Sequence, residues 1–454
     1  MKNILIAIRS IFKKGRHNVM KIVSLGIGLA VGLVLIAKVY FEQSYDDFYP
    51  DRDRVYQVWA KYQQNGGELK DYPQTSGGIA PTMQQQIPEI ETVTRYTSFG
   101  DWTFTMTDTK MKYSGRCIIA DSCFFDILPR PMLIGNAKEV LSTPMYVLIS
   151  SRIAKNIGGD VIGKNFTVDN SPGRTMTIGG VFEEVPENSH SRYDVIVSMA
   201  SAGRFMWEGS PTNMLGNDRY ISYVKLHKGV NPLALEEQVR TFVNSYFPPE
   251  EQQKVGLSID FSFHKLDNLH KELPQVKRMT WILSLLAFAL IFTAVMNYIL
   301  IVISSIVNRS KEVAVHKCYG ASENNIHGMM FGEALVHIVL SLILALLLIL
   351  AFRGTVEELL ATSLDSLLLS NGSLVLLGIC ILVFFVSGFM PGSLYARIPV
   401  ASAFRNYREN KRIWKKALLL VQFVATGFLV TMLVFVARQY TFMVNDRPGY
   451  AYEN

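Results

Sequence analysis

The chain has 454 residues, 49% hydrophobic and 18% charged, with a mean hydropathy of +0.20, four cysteines and a formal net charge of +7. Soluble domains carry roughly 25% charged residues. The balance excludes a soluble enzyme, a disordered protein and a secreted disulfide scaffold, and points to several membrane spans.

A leader, residues 1–21, carries Lys2, Arg9, Lys13, Lys14, Arg16 and Lys21 and no acid. The first apolar run, Ile22–Phe41, exceeds the ~7–15 residues of a signal-peptide core, and Tyr40-Phe41-Glu42-Gln43 offers no small-residue cleavage site. It is expected to be a retained anchor. Lys38 lies in its last turn, where a long stem can carry the ammonium to the interface. Ser24, Gly28 and Gly32 recur every four residues and form a smooth face for a close helix neighbour, from the same subunit or from a second one.

Residues 42–278 form a large segment with 25 basic and 29 acidic side chains. Strands are expected at Val55–Ala60, Trp102–Thr107, Lys112–Ala120, Thr175–Val181, Asp194–Ser198 and Ile221–Leu226. Helices are expected at Ala80–Gln86, Ser151–Ile157 and Pro232–Tyr246, the last with early Pro and acids. The pattern predicts an α+β domain of unspecified strand order. A Cys117–Cys123 bridge is open in an oxidising compartment, but six residues of extended chain hold the two beyond bridging distance, so free thiols are the favoured reading. Gly158–Lys164 matches part of a phosphate loop. Asn165 stands where a hydroxyl is needed, however, and Phe166-Thr167-Val168 reads as a strand, so a glycine turn is expected. His264 and His270 are expected to be solvated or packed.

Four further runs, residues 279–303, 329–352, 373–394 and 417–436, each reach the ~20 residues of a spanning helix. Asn297 lies in the second span, and Glu333 and His337 lie four apart on one face of the third. Such polar groups serve an ion relay or, the favoured reading, helix packing or end capping. In the loop 304–328, Val307–Tyr319 predicts an amphipathic helix with charged Arg309, Lys311, Glu312 and Lys317 and apolar Val313, Val315 and Tyr319. Gly320 is expected to stop it. This helix suits either the inner membrane surface or the groove of a cytosolic partner.

Lysine and arginine set the orientation. The leader, the loop 304–328 and the linker 395–416 together hold 16 basic residues against three acids, whereas Arg353–Gly372 holds one Arg against Glu357, Glu358 and Asp365. Five spans therefore alternate from a cytoplasmic N-terminus, with the large domain outside. The basic surplus belongs to orientation and lipid headgroups, and no nucleic-acid partner is expected. There is no H-E-x-x-H, G-x-S-x-G or Cys/His zinc pair, so no catalytic site, metal or bound cofactor is expected.

The run Asn297-Tyr298, then Asn308-Arg309-Ser310-Lys311-Glu312-Val313-Ala314-Val315-His316-Lys317-Cys318-Tyr319-Gly320-Ala321-Ser322, then Phe331-Gly332-Glu333-Ala334-Leu335, resembles the FtsX-like permease domain. Ala7–Lys14 and the glycine-bearing first span resemble the same group. Ser44-Tyr45-Asp46-Asp47-Phe48, Asp53–Val58 and Gly180–Ser191 resemble a MacB-type periplasmic core domain. His316 and Cys318 depart from the family's usual Arg and aliphatic residue.

The resemblance implies a non-catalytic permease subunit of an ATP-binding cassette complex in the bacterial inner membrane. A separate cytosolic ATPase dimer, which binds the ATP, would dock on Arg309, Lys311, Glu312, Val313, Lys317 and Gly320. ATP-driven closure would move the outer domain and export or release periplasmic substrates such as antimicrobial peptides, macrolides or lipoproteins. The alternative is a regulatory scaffold coupling the ATPase to a cell-wall hydrolase or sensor. A periplasmic adaptor, membrane lipid, and a second permease half or a homodimer are further partners it implies. The segment Ala403–Arg408 with the fifth span echoes Ala7–Phe12 with the first, and Pro448-Gly449-Tyr450 resembles the start of another outer domain. The chain is thus expected to be the N-terminal half of a two-repeat permease, with residues 437–454 opening the second domain.

Overall fold

The computed structural model describes residues 17–169, 171–368, 372–396, 399–400 and 413–445. Expectations for most of the leader, for the linker core at 401–412 and for 446–454 lie outside the described residues. The chain divides into two units, Met1–Gln43 with Lys277–Asn454, and Ser44–Val276.

The first unit opens with α1 (Asn18–Gln43), which contains the expected first span and extends it at both ends. The second unit follows in the order β1 (Val55–Gln64), β2 (Lys70–Tyr72), α2 (Ile79–Gln86), β3 (Ile90–Met106), β4 (Lys112–Ala120), α3 (Phe124–Ile127), β5 (Met132–Ile134), α4 (Ala137–Ser142), β6 (Tyr146–Ser150) and α5 (Ser151–Ile157). It continues with β7 (Asn165–Val168), β8 (Ser171–Phe182), β9 (Val195–Ser198), β10 (Ile221–Leu226), α6 (Glu236–Tyr246), α7 (Pro249–Val255) and β11 (Leu257–Lys265).

The strands form one mixed sheet in the order β11-β1-β10-β3-β4-β9-β6-β8-β5, with β2 beside β1 and β7 between β3 and β8. β4 with β9 and β6 with β8 are parallel, and the other pairs are antiparallel. Helices on this sheet bury one core around Phe242, Phe261 and Met83 and another around Phe104, Phe166 and Ile149. The expected strand Trp102–Thr107 proves, up to Met106, to be the end of a 17-residue strand. Its first half hides from pattern reading because Thr94, Arg95 and Thr97 are buried there, which removes the alternation of polar and apolar residues. Pro232–Tyr246 divides into a 3₁₀ turn, Pro232–Leu235, and α6.

Gly158 ends α5 with φ +74°, and β7 begins at Asn165, so the glycines of the phosphate-loop look-alike turn the chain between a helix and a strand. All four cysteines are free, and burial pushes the Cys117 thiol well up. His264 stacks on Trp59 and His270 on Tyr45.

Two of the motifs that carry the resemblance meet at Asp46. Its backbone is left-handed (φ +60°), a conformation that Asp tolerates better than most residues. Its fully buried carboxylate accepts from Ser189 Oγ at 3.1 Å and the His190 amide at 3.3 Å, and lies 2.8 Å from His190 Nδ1. His190 Nε2 meets the Tyr223 hydroxyl, and Ser191 Oγ donates to the Tyr96 hydroxyl at 2.7 Å. Burial raises both phenols, Tyr96 to about 12, so each remains a neutral hydrogen-bonding group. Asn188 joins the same turn by donating to the Ser44 carbonyl at 2.7 Å.

The first unit resumes with α8 (Pro274–Ser304), α9 (Ile306–Cys318), α10 (Glu323–Ala351), α11 (Arg353–Leu360), α12 (Leu364–Leu368), α13 (Ser373–Ala396) and α14 (Ile413–Asn445). The helices α1, α8, α10 and α13, with Leu419–Gln439 of α14, are long and apolar enough to span a bilayer. The protein is therefore a multi-pass membrane protein with a large α/β domain between its first two spans.

Replacing Asp46 by Ala should orphan buried donors at about 1–3 kcal/mol each and strain the left-handed turn as well. The urea midpoint of the detergent-solubilised chain should fall further for Asp46→Ala than for Asp46→Asn. Equal midpoints for wild type and Asp46→Ala would contradict this account.

Candidate functional site

The helix α9 lies between two spans and is held at both ends. A single residue, Ser305, separates it from α8. The buried Tyr395 hydroxyl donates to the Val302 carbonyl and approaches Ser305 Oγ, each at 3.1 Å, so the last turn of α8 is capped by the fourth span. At the other end Gly320 has φ +84°, its amide donates to Lys317, and the Ala321 amide donates to His316. Both bonds are those of a Schellman stop, in which glycine takes the left-handed position without a Cβ penalty. Ser322 then caps α10, accepting from the Asn325 amide at 3.4 Å.

The six residues expected to dock a partner separate by face. Lys311 and Gly320 are exposed, and Glu312 is half-buried. Val313 is 1% exposed and belongs to the helix-bundle core, which corrects its expected place among the docking residues. Lys317 donates to the Ala396 carbonyl at 2.7 Å, a cation on the C-terminus of α13. Arg309 lies within α9, and its side chain is outside what is described. The outward face consists of Lys311, Val315, His316, Cys318 and Tyr319, with Tyr319 89% and Val315 43% exposed. Amphipathic spacing places Val315 and Tyr319 on one stripe, but only packing shows that Val313 fills the core while this pair does not.

The polar residues of the spans tie helices together. Glu333 on α10 meets Lys21 on α1 at 3.5 Å, with both side chains buried, and Lys21 Nζ also donates to Asn18 Oδ1 at 3.3 Å. One turn on, His337 Nδ1 lies 3.1 Å from the Tyr298 hydroxyl of α8. Ser341 continues the face by donating to the Ile22 carbonyl at 3.1 Å. Glu333 and His337 thus bind α10 to two different spans. Asn297 accepts from the buried Gln422 of α14 at 3.2 Å, a partner that the sequence pattern did not single out.

The small-residue face of α1 is filled from within the chain. A methyl group on Gly28 would stand 2.2 Å from Ala294 Cβ, and one on Gly32 2.4 Å from Ile291, both on α8. Ser24 lies half-buried one turn before Gly28. Gly26, on the neighbouring face, admits Leu344 and the Ser341 carbonyl of α10. At the far end Lys38 is not carried out to the interface. It is buried, 2.6 Å from Glu42, and donates to Thr362 Oγ1 at 2.7 Å. Among the described residues no group of three or more His, Cys, Asp or Glu is arranged to hold a metal.

Two family models match the chain in order. The MacB-like periplasmic core domain covers residues 20–242, and the FtsX-like permease C-terminal domain covers 284–400. A crystal structure of a domain assigned to a permease protein of Porphyromonas gingivalis is similar at 33% identity, over 48% of this chain and 91% of that one, with a TM-score of 0.44. No curated protein matches. The chain belongs to the FtsX/MacB type of ATP-binding cassette permease. Such permeases are non-catalytic transporter components that work with an ATPase.

An isolated buried charge is costly, and removing one member of a buried pair costs about 3–5 kcal/mol. Lys21→Met should lower the thermal aggregation midpoint in detergent sharply, and Lys21→Met with Glu333→Leu should recover most of the loss. A double variant as unstable as the single one would show that the two charges do not act as a pair.

Proposed function

We propose that α9 is the element on which a cytosolic ATPase dimer acts, and that the bundle passes its motion to the outer domain. The supporting observation is the geometry of α9. Its outward stripe of Val315 and Tyr319 is exposed, while Tyr395, Lys317 and the Gly320 turn tie its ends to neighbouring spans. A push on this helix is delivered to α8, α10 and α13 together. From α10 the Glu333–Lys21 pair leads to α1, whose chain runs directly into the outer domain at Ser44.

In this reading the chain works in the bacterial inner membrane with its N-terminus and α9 in the cytoplasm. The basic residues around α9 and in the flanking segments support that orientation. The outer domain then moves periplasmic substrates, of antimicrobial peptide, macrolide or lipoprotein type, and ATP is bound only by the partner.

Tyr319→Asp and Val315→Asp should each abolish co-purification of the ATPase while the chain still inserts and retains its detergent stability. Undiminished co-purification with both variants would sink the docking role of α9.

Orientation has its own test. A cysteine placed at Asp169 should react with an impermeant maleimide once the outer envelope is opened, and one placed at Lys411 only after the inner membrane is broken. The reverse pattern would overturn the charge argument.

A further inference from the structure

The strand β11 ends the sheet. It pairs with β1 along its whole length, Leu257–Lys265 against Tyr56–Gln64, and among the described residues no strand lies on its other side. An open groove of about 670 Å³ follows Asp260–Phe263, faced by Pro232, Leu233 and the start of α6, with Leu233 72% exposed. A bare edge of this kind offers amide and carbonyl groups that another strand can take up. The strand also lies between the two family matches, after residue 242 and before 284.

The sequence of this edge nearly mirrors itself about Ser262: Ile259-Asp260-Phe261-Ser262-Phe263-His264-Lys265. Antiparallel pairing of two such strands centred on Ser262 sets Ser262 against Ser262, Phe261 against Phe263, and Asp260 against His264. No like charges face each other. Ile259 and Phe261 are buried in the core shared with α6, and Phe263 packs against the same cluster. The aromatic pairs therefore meet on that face and the polar pairs on the other. Centring on Phe261 instead sets Asp260 against Ser262 and loses the acid–imidazole pair. Centring between Phe261 and Ser262 opposes a buried face to an exposed one, which the period of two forbids.

We propose that β11 pairs with β11 of a second copy of this chain, antiparallel and centred on Ser262, so that two outer domains share one continuous sheet. The pairing goes beyond the ATPase reading and does not rest on it. The Asp260 carboxylate, which accepts from the Phe261 amide at 2.8 Å within its own strand, turns to the imidazole of the opposing strand when the pair forms.

Disulfide trapping in membranes tests this on the full chain, with Cys123, Cys318 and Cys380 replaced by Ser and the buried Cys117 retained. Across the twofold axis two Ser262 Cα atoms stand about 4.5–5.5 Å apart, within disulfide reach. Two Ser258 Cα atoms stand eight strand positions apart, about 27 Å. Copper-phenanthroline oxidation should convert Ser262→Cys to a covalent dimer and leave Ser258→Cys monomeric. Asp260→Cys with His264→Cys should also cross-link, which keeps the test open if Ser262→Cys folds poorly. Adding Asp260→Lys to Ser262→Cys should lose the dimer, and His264→Asp on top should restore it. Monomer from both designed sites, or a dimer from Ser258→Cys as readily as from Ser262→Cys, would overturn the pairing.

Discussion

Lys21 and Glu333 are both buried, and neither ion could be accommodated there alone without a penalty of several kcal/mol. Their pairing settles how the first and third spans face each other, and much of the bundle follows from that facing. With Glu333 turned to α1, His337 one turn on reaches Tyr298, and Ser341 reaches the Ile22 carbonyl. A second pair, Lys38 with Glu42, closes the other end of α1. The two lysines are seventeen residues apart, about 25 Å of helix, close to the ~30 Å of a bilayer's hydrocarbon. Between them, beyond the Ser341 bond to the Ile22 carbonyl, α1 meets its neighbours most closely at glycine. Gly26 admits α10, and Gly28 and Gly32 admit α8, so the span is gripped by charge at its ends and by close backbone approach along its middle.

Much of this was legible in the sequence because the membrane leaves few choices. Each span was recognisable from its apolar length, and the helix of the 304–328 loop from its spacing and the Gly320 stop. Glu333 and His337 stood out because polar groups are costly at that depth. Their partners were less visible. Lys21 reads as one more basic residue of the leader, and Gln422 as a minor blemish in an apolar run, until the fold brings them to Glu333 and Asn297. From sequence Lys38 reads as reaching for the interface, because nothing in the local pattern announces Thr362, 324 residues away. Val313 and Lys317 illustrate the same limit. Periodicity marks α9 as two-faced, but the contact with Ala396 decides that Lys317 faces inward.

The α/β domain between the first two spans was legible in class and partly in its elements. β4 and β10 stand out as β-branched or aromatic runs. β6 is a short apolar run that a buried helix turn could equally supply, and the first half of β3 carries buried threonines and Arg95 that break the alternation. Strand order depends on contacts across the whole domain, and local composition does not encode it.

The turn at Asp46 has a consequence for how the molecule is made. Its carboxylate is held by Ser189 and His190, and the pairing with His190 spans 144 residues of chain. Segments so far apart in sequence are slow to find each other, because the intervening loop must be closed first. During synthesis at ~5–20 residues per second, the Ser44–Asp47 segment emerges many seconds before the residues that hold it. The turn at Asp46 can lock only after His190 has been made, so the start of the α/β domain stays unanchored until most of that domain has been synthesised.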